Sequence, residues 1–284
     1  MINRNTVQPF TLPRWIILME EYPEFKIINQ LVQQPDTSVA DALDQFSRLT
    51  SSLINTENAD PVGVHPWHTF CSLIEVTKRT GHEKQAKLVE FVVSLQKVKV
   101  VNPTTGEQLK SGGQLLWTEM PTLGYTAADD WNEIDVTDAN TVPEVLHRYE
   151  NFIALLARMS SAAHVDYSDS TVPEMDFSFW SMRAFKEAFE GHHQQAPVDA
   201  AVRTACMWLI YASDRLWSNI LHRRVFDRRG DDPGTVMTQE MWESWEEALR
   251  GLRNSCCPGS IELVDRALSR MKDARGTGLA NGTT

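Results

Sequence analysis

Apolar residues recur along this chain at intervals of three and four, and alternating β-branched runs are nearly absent, so the pattern predicts helices almost throughout. Pro23 opens a first helix with Phe25, Ile28, Leu31 and Val32 on one face, and Pro35 ends it. Thr37 or Ser38 caps a second, whose stripe is Val39, Leu43, Phe46, Leu49 and Leu53. Pro66 starts a third, carrying Phe70, Leu73, Ile74 and Thr77 as far as Gly81. The span from Glu83 to Val101 gives a fourth, with Leu88, Phe91, Val92 and Leu95 inward, and the turn-forming residues from Asn102 to Gly113 mark a loop. Leu115 to Pro121 reads as a short helical turn, and Thr126 as the cap of a short helix that carries Trp131.

Longer helical patterns follow from Pro143 to about Ala163, Pro173 to Glu190, Pro197 to Val225, Thr238 to Leu252 and Ser260 to Ala274. The one at about 197–225 is apolar on most of its circumference, which is the mark of a helix surrounded by others. The expected fold is all-α: one bundle-like domain over residues 1–275, of about ten helices around that central helix, with a disordered tail over 276–284.

Composition then narrows the partners. The chain has 284 residues and a formal net charge of -11, a field that opposes phosphate backbones, so no nucleic acid is expected. No window reaches the run of about 18–20 apolar residues that a bilayer requires, so no membrane span is expected. The first thirty residues show no cationic start followed by an apolar stretch, and four irregularly placed cysteines suit reduced thiols, which together predict a cytoplasmic protein. Nine Trp stand beside eleven Phe, five Tyr and ten Met. Such a surplus lines either a thick core or a pocket for a bulky apolar ligand.

The familiar catalytic signatures are missing: there is no Gly-x-Ser-x-Gly elbow, Walker loop, His-Glu-x-x-His or Cys-x-x-Cys. His65, His68 and Cys71 fall at steps of three, but Pro66 sets His65 ahead of the helix, and cap and core roles outweigh a zinc site. His192-His193 reads as solvated loop. Asp129-Asp130-Trp131-Asn132-Glu133 has the carboxylate spacing with which class I terpene cyclases hold magnesium, and Asp214 and Ser218 partly echo a second metal motif, with His222 where an acid belongs. Arg223, Arg224, Arg228 and Arg229 follow, as a diphosphate would require. Helix-end electrostatics account for the same pieces: Thr126 with Asp129 as a capping pair, acids at an N-terminus, arginines at a C-terminus.

On the central helix, Met207, Tyr211, Asp214, Ser218 and His222 are spaced by four, three, four and four and share one face, with Trp217 beside them. A buried aspartate beside Tyr and Trp serves either as a structural pin or as an acid/base over a pocket. Tyr211 and Asp214 are the candidate catalytic residues, and Trp180, Met207, Trp208, Trp217 and Ser218 the candidate substrate contacts.

Several stretches carry a family resemblance: His82 with Gln85 to Val92, Leu116 to Pro121 with Trp131-Asn132, Asn151-Phe152-x-Ala154, Asp176 to Arg183, and Ala200 to Tyr211. Together they resemble an uncharacterised all-helical family of filamentous ascomycete fungi, whose members often lie near specialised-metabolite gene clusters. The resemblance implies an intracellular fungal protein with an all-α fold, and it assigns no catalytic residue. The resulting expectation is a cofactor-independent and metal-independent enzyme that holds a hydrophobic terpenoid or polyketide and speeds an intramolecular, Diels–Alder-type cyclisation. The alternatives are a helical interaction or regulatory protein without chemistry, and a magnesium-dependent class I terpene cyclase.

Overall fold

The computed structural model describes residues 18–58, 60–138, 140–190, 199–226, 234–254 and 257–280. Among these residues the α-helices are α1 (Pro23–Gln33), α2 (Val39–Leu53), α3 (His65–Lys78), α4 (Ala86–Leu95), α5 (Leu123–Glu133), α6 (Pro143–Ala162), α7 (Ser181–Phe189), α8 (Asp199–Leu221), α9 (Gln239–Leu252) and α10 (Pro258–Ala280). Two short antiparallel hairpins accompany them, β1 (Lys110–Ser111) with β2 (Gln114–Leu115), and β3 (Val225–Phe226) with β4 (Thr235–Val236). The fold is all-α, as the periodicity predicts.

Helix starts follow local chemistry. Proline in the first turn opens α1, α3 and α6, where its missing N–H costs no hydrogen bond. Ser38 caps α2 through a capping box: its hydroxyl accepts the Asp41 N–H while the Asp41 carboxylate accepts the Ser38 N–H. Thr238 caps α9 by accepting from the Met241 N–H.

The structure departs from the sequence reading where tertiary partners override the helical period. The buried line of α2 is Val39, Ala42, Phe46 and Thr50, and Leu53 is exposed. The fourth helix begins as a 3-10 turn at His82–Lys84 and stops at Leu95. Beyond it Val98, Val100 and Val101 alternate with or follow lysine, a pattern that favours extended backbone, and Val101 bridges Gln108. The loop predicted over 102–113 ends in a hairpin, since Gly112 and Gly113 both take positive φ and so make the two-residue turn between β1 and β2.

Thr126 lies inside α5 rather than capping it, and its hydroxyl donates back to the Thr122 carbonyl. Between Pro173 and Glu190 only Ser181–Phe189 is α-helical. Asp176 accepts the Ser178 N–H at 2.9 Å and sets a 3-10 turn, Ser178–Trp180, before it. The central helix is shorter than 197–225, because Arg223 takes a left-handed conformation at φ 49° and Val225 joins β3. Pro197 lies outside the described residues, as does His192-His193. The last helix runs on to Ala280, through Gly276 and Gly278 of the expected tail; residues 281–284 lie outside the described residues.

Contacts between helices show their direction. Glu150 of α6 meets Arg203 of α8, Arg158 meets Tyr211, and the Ser160 carbonyl meets Arg215, so partners advance together and the two helices run parallel. The same holds for α8 and α10, through Arg203 with Ser260, Asp214 with Arg270 and Trp217 with Arg275. Packed between α6, α7 and α10, α8 buries Met207, Trp208 and Leu209 completely, as expected of the central helix. Among the described residues no helix is long and apolar enough to cross a membrane.

Candidate functional site

Tyr211 sits halfway along α8 and is half-buried, its ring against Arg158 of α6. Its hydroxyl lies 2.6 Å from Nδ1 of His82. The 3-10 turn that carries His82 is clamped to α6 from three sides. The His82 N–H donates to Asn151 Oδ1 at 2.9 Å, Gln85 Nε2 donates to the Asn151 carbonyl at 2.8 Å, and Arg158 Nη2 donates to the His82 carbonyl at 3.1 Å. The Arg158 guanidinium also stacks on the Tyr211 ring, 3.8 Å from its centre. Arg266 of α10 closes the group, touching Tyr211 and bonding Glu83 at 2.8 Å. A phenol, an imidazole and two guanidiniums therefore meet at the junction of α6, α8 and α10.

Burial is the main reason that the His82 pKa lies below its ordinary 6.5, with Arg266 and Arg158 adding to the shift and Glu83 and Glu150 opposing it. The neutral ring is favoured, and in its tautomer protonated on Nε2 the free Nδ1 accepts the Tyr211 hydroxyl proton. The linkage sign follows. Above about 6.5 both folded and unfolded chains hold His82 neutral, and below it the unfolded chain takes the proton first, so stability falls as the pH drops toward the folded pKa. His68, also lowered by burial, adds a slope of the same sign. Denaturant unfolding at pH 7.5, 6.5 and 5.5 is expected to show this decline, and His82→Gln to make it shallower; equal slopes in both proteins would refute the assignment.

The other candidate residues occupy separate surroundings. Trp180 is half-buried, its ring 5.2 Å from Trp131 and 4.9 Å from Phe177, and the fully buried Trp208 joins that cluster at 6.3 Å from Trp131. Met207 is fully buried, and Trp217 packs 5.4 Å from Trp242. Ser218 is half-buried, and its carbonyl meets His222 Nδ1 at 2.9 Å. Asp214 is not buried. Its side chain is 53% exposed and pairs with Arg270 of α10 at 2.7 Å, at the solvent side of the contact between α8 and α10. Among the described residues no hydrogen bond joins Tyr211 to Asp214. Spacing does not single out His82, Arg158 and Arg266, since they lie far from Tyr211 in the chain.

The acidic segment 129–133 falls at the C-terminal end of α5, not at an N-terminus. There the helix dipole is unfavourable, and Lys78 of α3 supplies the compensating charge, bonding Asp130 and standing 3.6 Å from Glu133. Burial raises the Asp130 pKa, against the pull of Lys78. Asp130 and Asp214 are thus each committed to a different cation, and among the described residues no group of three or more His, Cys, Asp or Glu is placed to hold a metal. Of the four arginines, Arg224 is buried against Asp176, and Arg228 and Arg229 lie outside the described residues.

His65 is the first residue of α3 and lies in the core. Its Nδ1 is 2.6 Å from Glu24 and its Nε2 3.0 Å from Thr50, all three residues fully buried. Burial pushes the Glu24 carboxyl upward, but the hydrogen bond from His65 and the nearby imidazoles outweigh it and leave the pKa lowered. This hydroxyl–imidazole–carboxylate line has the connectivity of a hydrolase triad but no solvent-facing member, and it ties α1, α2 and α3 together. Cys71 is likewise removed from chemistry, its pKa pushed up to about 12 by burial, with Asp130 and Asp129 adding to the shift.

No curated protein and no solved structure matches the chain. A sequence family described as "Protein of unknown function (DUF3632)" matches residues 67–249, a span that takes in His82, Arg158 and Tyr211. With most of its length and its central helix inside that match, the chain belongs to the DUF3632 family.

Proposed function

We propose that this protein is a cofactor-independent enzyme that closes a ring within a hydrophobic terpenoid or polyketide, with Tyr211 and His82 supplying the polar assistance. The observation that carries the reading is the 2.6 Å contact between the Tyr211 hydroxyl and His82 Nδ1 beneath the Arg158 guanidinium. Turned from His82 toward a substrate oxygen, the phenolic proton can be donated there, and the two guanidiniums beside it stabilise charge that develops, without a metal or redox group. Ring closure further needs a flexible chain held in a reactive fold, for which aromatic walls are suited. In this reading Met207 and Ser218 continue the α8 face on either side of Tyr211, and Asp214 forms its solvent-facing rim.

One helical domain carries the site. The net charge of -11 favours a small apolar partner over nucleic acid, and the family resemblance favours an intracellular role in fungal specialised metabolism.

An intramolecular cyclisation conserves composition, so it can be detected while the substrate is still unidentified. The purified protein is incubated with a small-molecule extract of its source organism and followed by chromatography with mass detection. One compound is expected to give way to another of identical mass. Tyr211→Phe should slow that conversion about 10²- to 10⁴-fold, the range of a lost acid/base group. A profile without an isomer pair, or a Tyr211→Phe protein as fast as wild type, would sink the proposal.

A further inference from the structure

The geometry points to a second site, six residues further along α8: we propose that Trp217, Trp242 and Arg275 bind a small neutral carbonyl compound at the junction of α8, α9 and α10. The inference goes beyond the chemistry at Tyr211 and does not depend on it. Buried indole N–H groups normally find an acceptor. Trp217 is 6% exposed and Trp242 is fully buried, yet neither Nε1 has a hydrogen-bond partner among the described residues. The two rings stand 5.4 Å apart, tilted by 54°. The Arg275 guanidinium lies over the Trp217 ring at 5.7 Å, and its Nε is also buried without a partner among those residues. Three donors from three helices, each without a partner among the described residues, thus lie in one small region.

The charges nearby select the kind of acceptor. Glu246 is bridged by two arginines, accepting from Arg250 on Oε1 and from Arg275 at 3.0 Å on Oε2. The positive charge of Arg275 is therefore already answered, and a second carboxylate would stand against that of Glu246. What the region lacks is lone pairs. A ketone, lactone or quinone oxygen supplies two of them without charge, and the flat tryptophan surfaces suit an apolar frame around it. Arg275 is the solvent-facing member of the three, its side chain 35% exposed.

The test uses the full-length protein labelled with ¹⁵N, in which each tryptophan gives its own indole N–H signal, assigned by Trp→Phe substitution. The probe is 1-indanone, compared with indane, the same frame without the oxygen. With 1-indanone the Trp217 and Trp242 signals are expected to move downfield and to saturate, while indane leaves them in place. Trp242→Phe, which keeps a ring but loses the donor, should weaken 1-indanone binding roughly two- to tenfold, as one net hydrogen bond requires. Arg275→Lys, which keeps the charge facing Glu246 on a partly exposed side chain, should weaken it by a similar factor with no risk to the core. Trp208→Phe, which removes another unpartnered indole away from this junction, and Tyr211→Phe should leave the affinity unchanged. The proposal is overturned if neither indole signal responds to 1-indanone, if indane moves them equally, or if both Trp242→Phe and Arg275→Lys bind as wild type does.

Discussion

Asp176→Ala is expected to destabilise the protein by about 3–5 kcal/mol, the cost of leaving a buried charge without its partner. The Asp176 side chain is completely buried and pairs with Arg224, itself 8% exposed. One carboxylate oxygen accepts the Ser178 N–H at 2.9 Å while the other meets the guanidinium. Arg224 has little else to turn to: its Nη2 is buried without a partner among the described residues, and Asn219 Oδ1 is 3.4 Å from Nη1. Removing the carboxylate therefore strands a guanidinium in the core and releases the turn that leads into α7. Asp214→Ala provides the contrast. Its pair with Arg270 is solvent-exposed on both sides, and such pairs are worth about 1 kcal/mol or less. Denaturant midpoints read both, and replacing Asp176 and Arg224 together by apolar residues should recover much of the loss. Should Asp176→Ala unfold within 1 kcal/mol of wild type, about the worth of a surface pair, the buried-pair argument fails.

The helical period is sufficient to find most of the helices because each buries one stripe against a neighbour, and prolines at 23, 66 and 143 mark their starts plainly. It fails where a residue's role is fixed by something distant. Nothing local says that Asp176 is claimed by Arg224, and without that bond Pro173 to Glu190 reads as continuous helix. Thr126 looks like a cap because Thr, Asp and Glu follow one another at capping distance. The helix starts three residues earlier because Leu123 is needed in the core. The segment after Leu95 carries enough valine to pass for a helix stripe, yet Val101 finds its partner across a hairpin whose turn is made by two glycines.

The candidate site is legible in one residue and opaque in the rest. Tyr211 can be singled out because a tyrosine on an otherwise apolar helix must place its hydroxyl somewhere. Its partner His82 is 129 positions away, on a turn whose placement depends on Asn151 and Gln85, and no spacing rule reaches that far. Asp214 misleads for the opposite reason. Asp214, three positions beyond Tyr211, lies on the same helical face in projection, but that part of the face is open to solvent, and Arg270 meets it there. Helical spacing shows which residues share a face and leaves open what covers each part of it.

The second large effect belongs to Trp117, where packing and backbone strain oppose each other and can be weighed. The segment 116–122 holds three non-glycine residues at positive φ: Trp117 at 64°, Met120 at 45° and Thr122 at 74°. Each costs about 1–2 kcal/mol in an L-residue. Trp117 accepts that conformation because it drives a fully buried indole into the first half of the fold, 5.3 Å from both Phe46 and His65 and 6.3 Å from Phe70. Truncating a buried tryptophan to alanine costs about 3–5 kcal/mol, so packing exceeds strain and the turn holds. Trp117→Ala is expected to lose that amount, a large part of the roughly 5–15 kcal/mol that separates folded from unfolded chains. Trp117→Gly loses the same ring but not the same backbone fit, since glycine adopts φ of this sign freely. It should therefore be about 1 kcal/mol more stable than Trp117→Ala, the reverse of the order in an ordinary helix. If alanine proves the more stable of the two, the left-handed conformation of Trp117 is not what the turn requires. If alanine costs less than about 2 kcal/mol, the indole does not bind α2 and α3 together as its contacts imply.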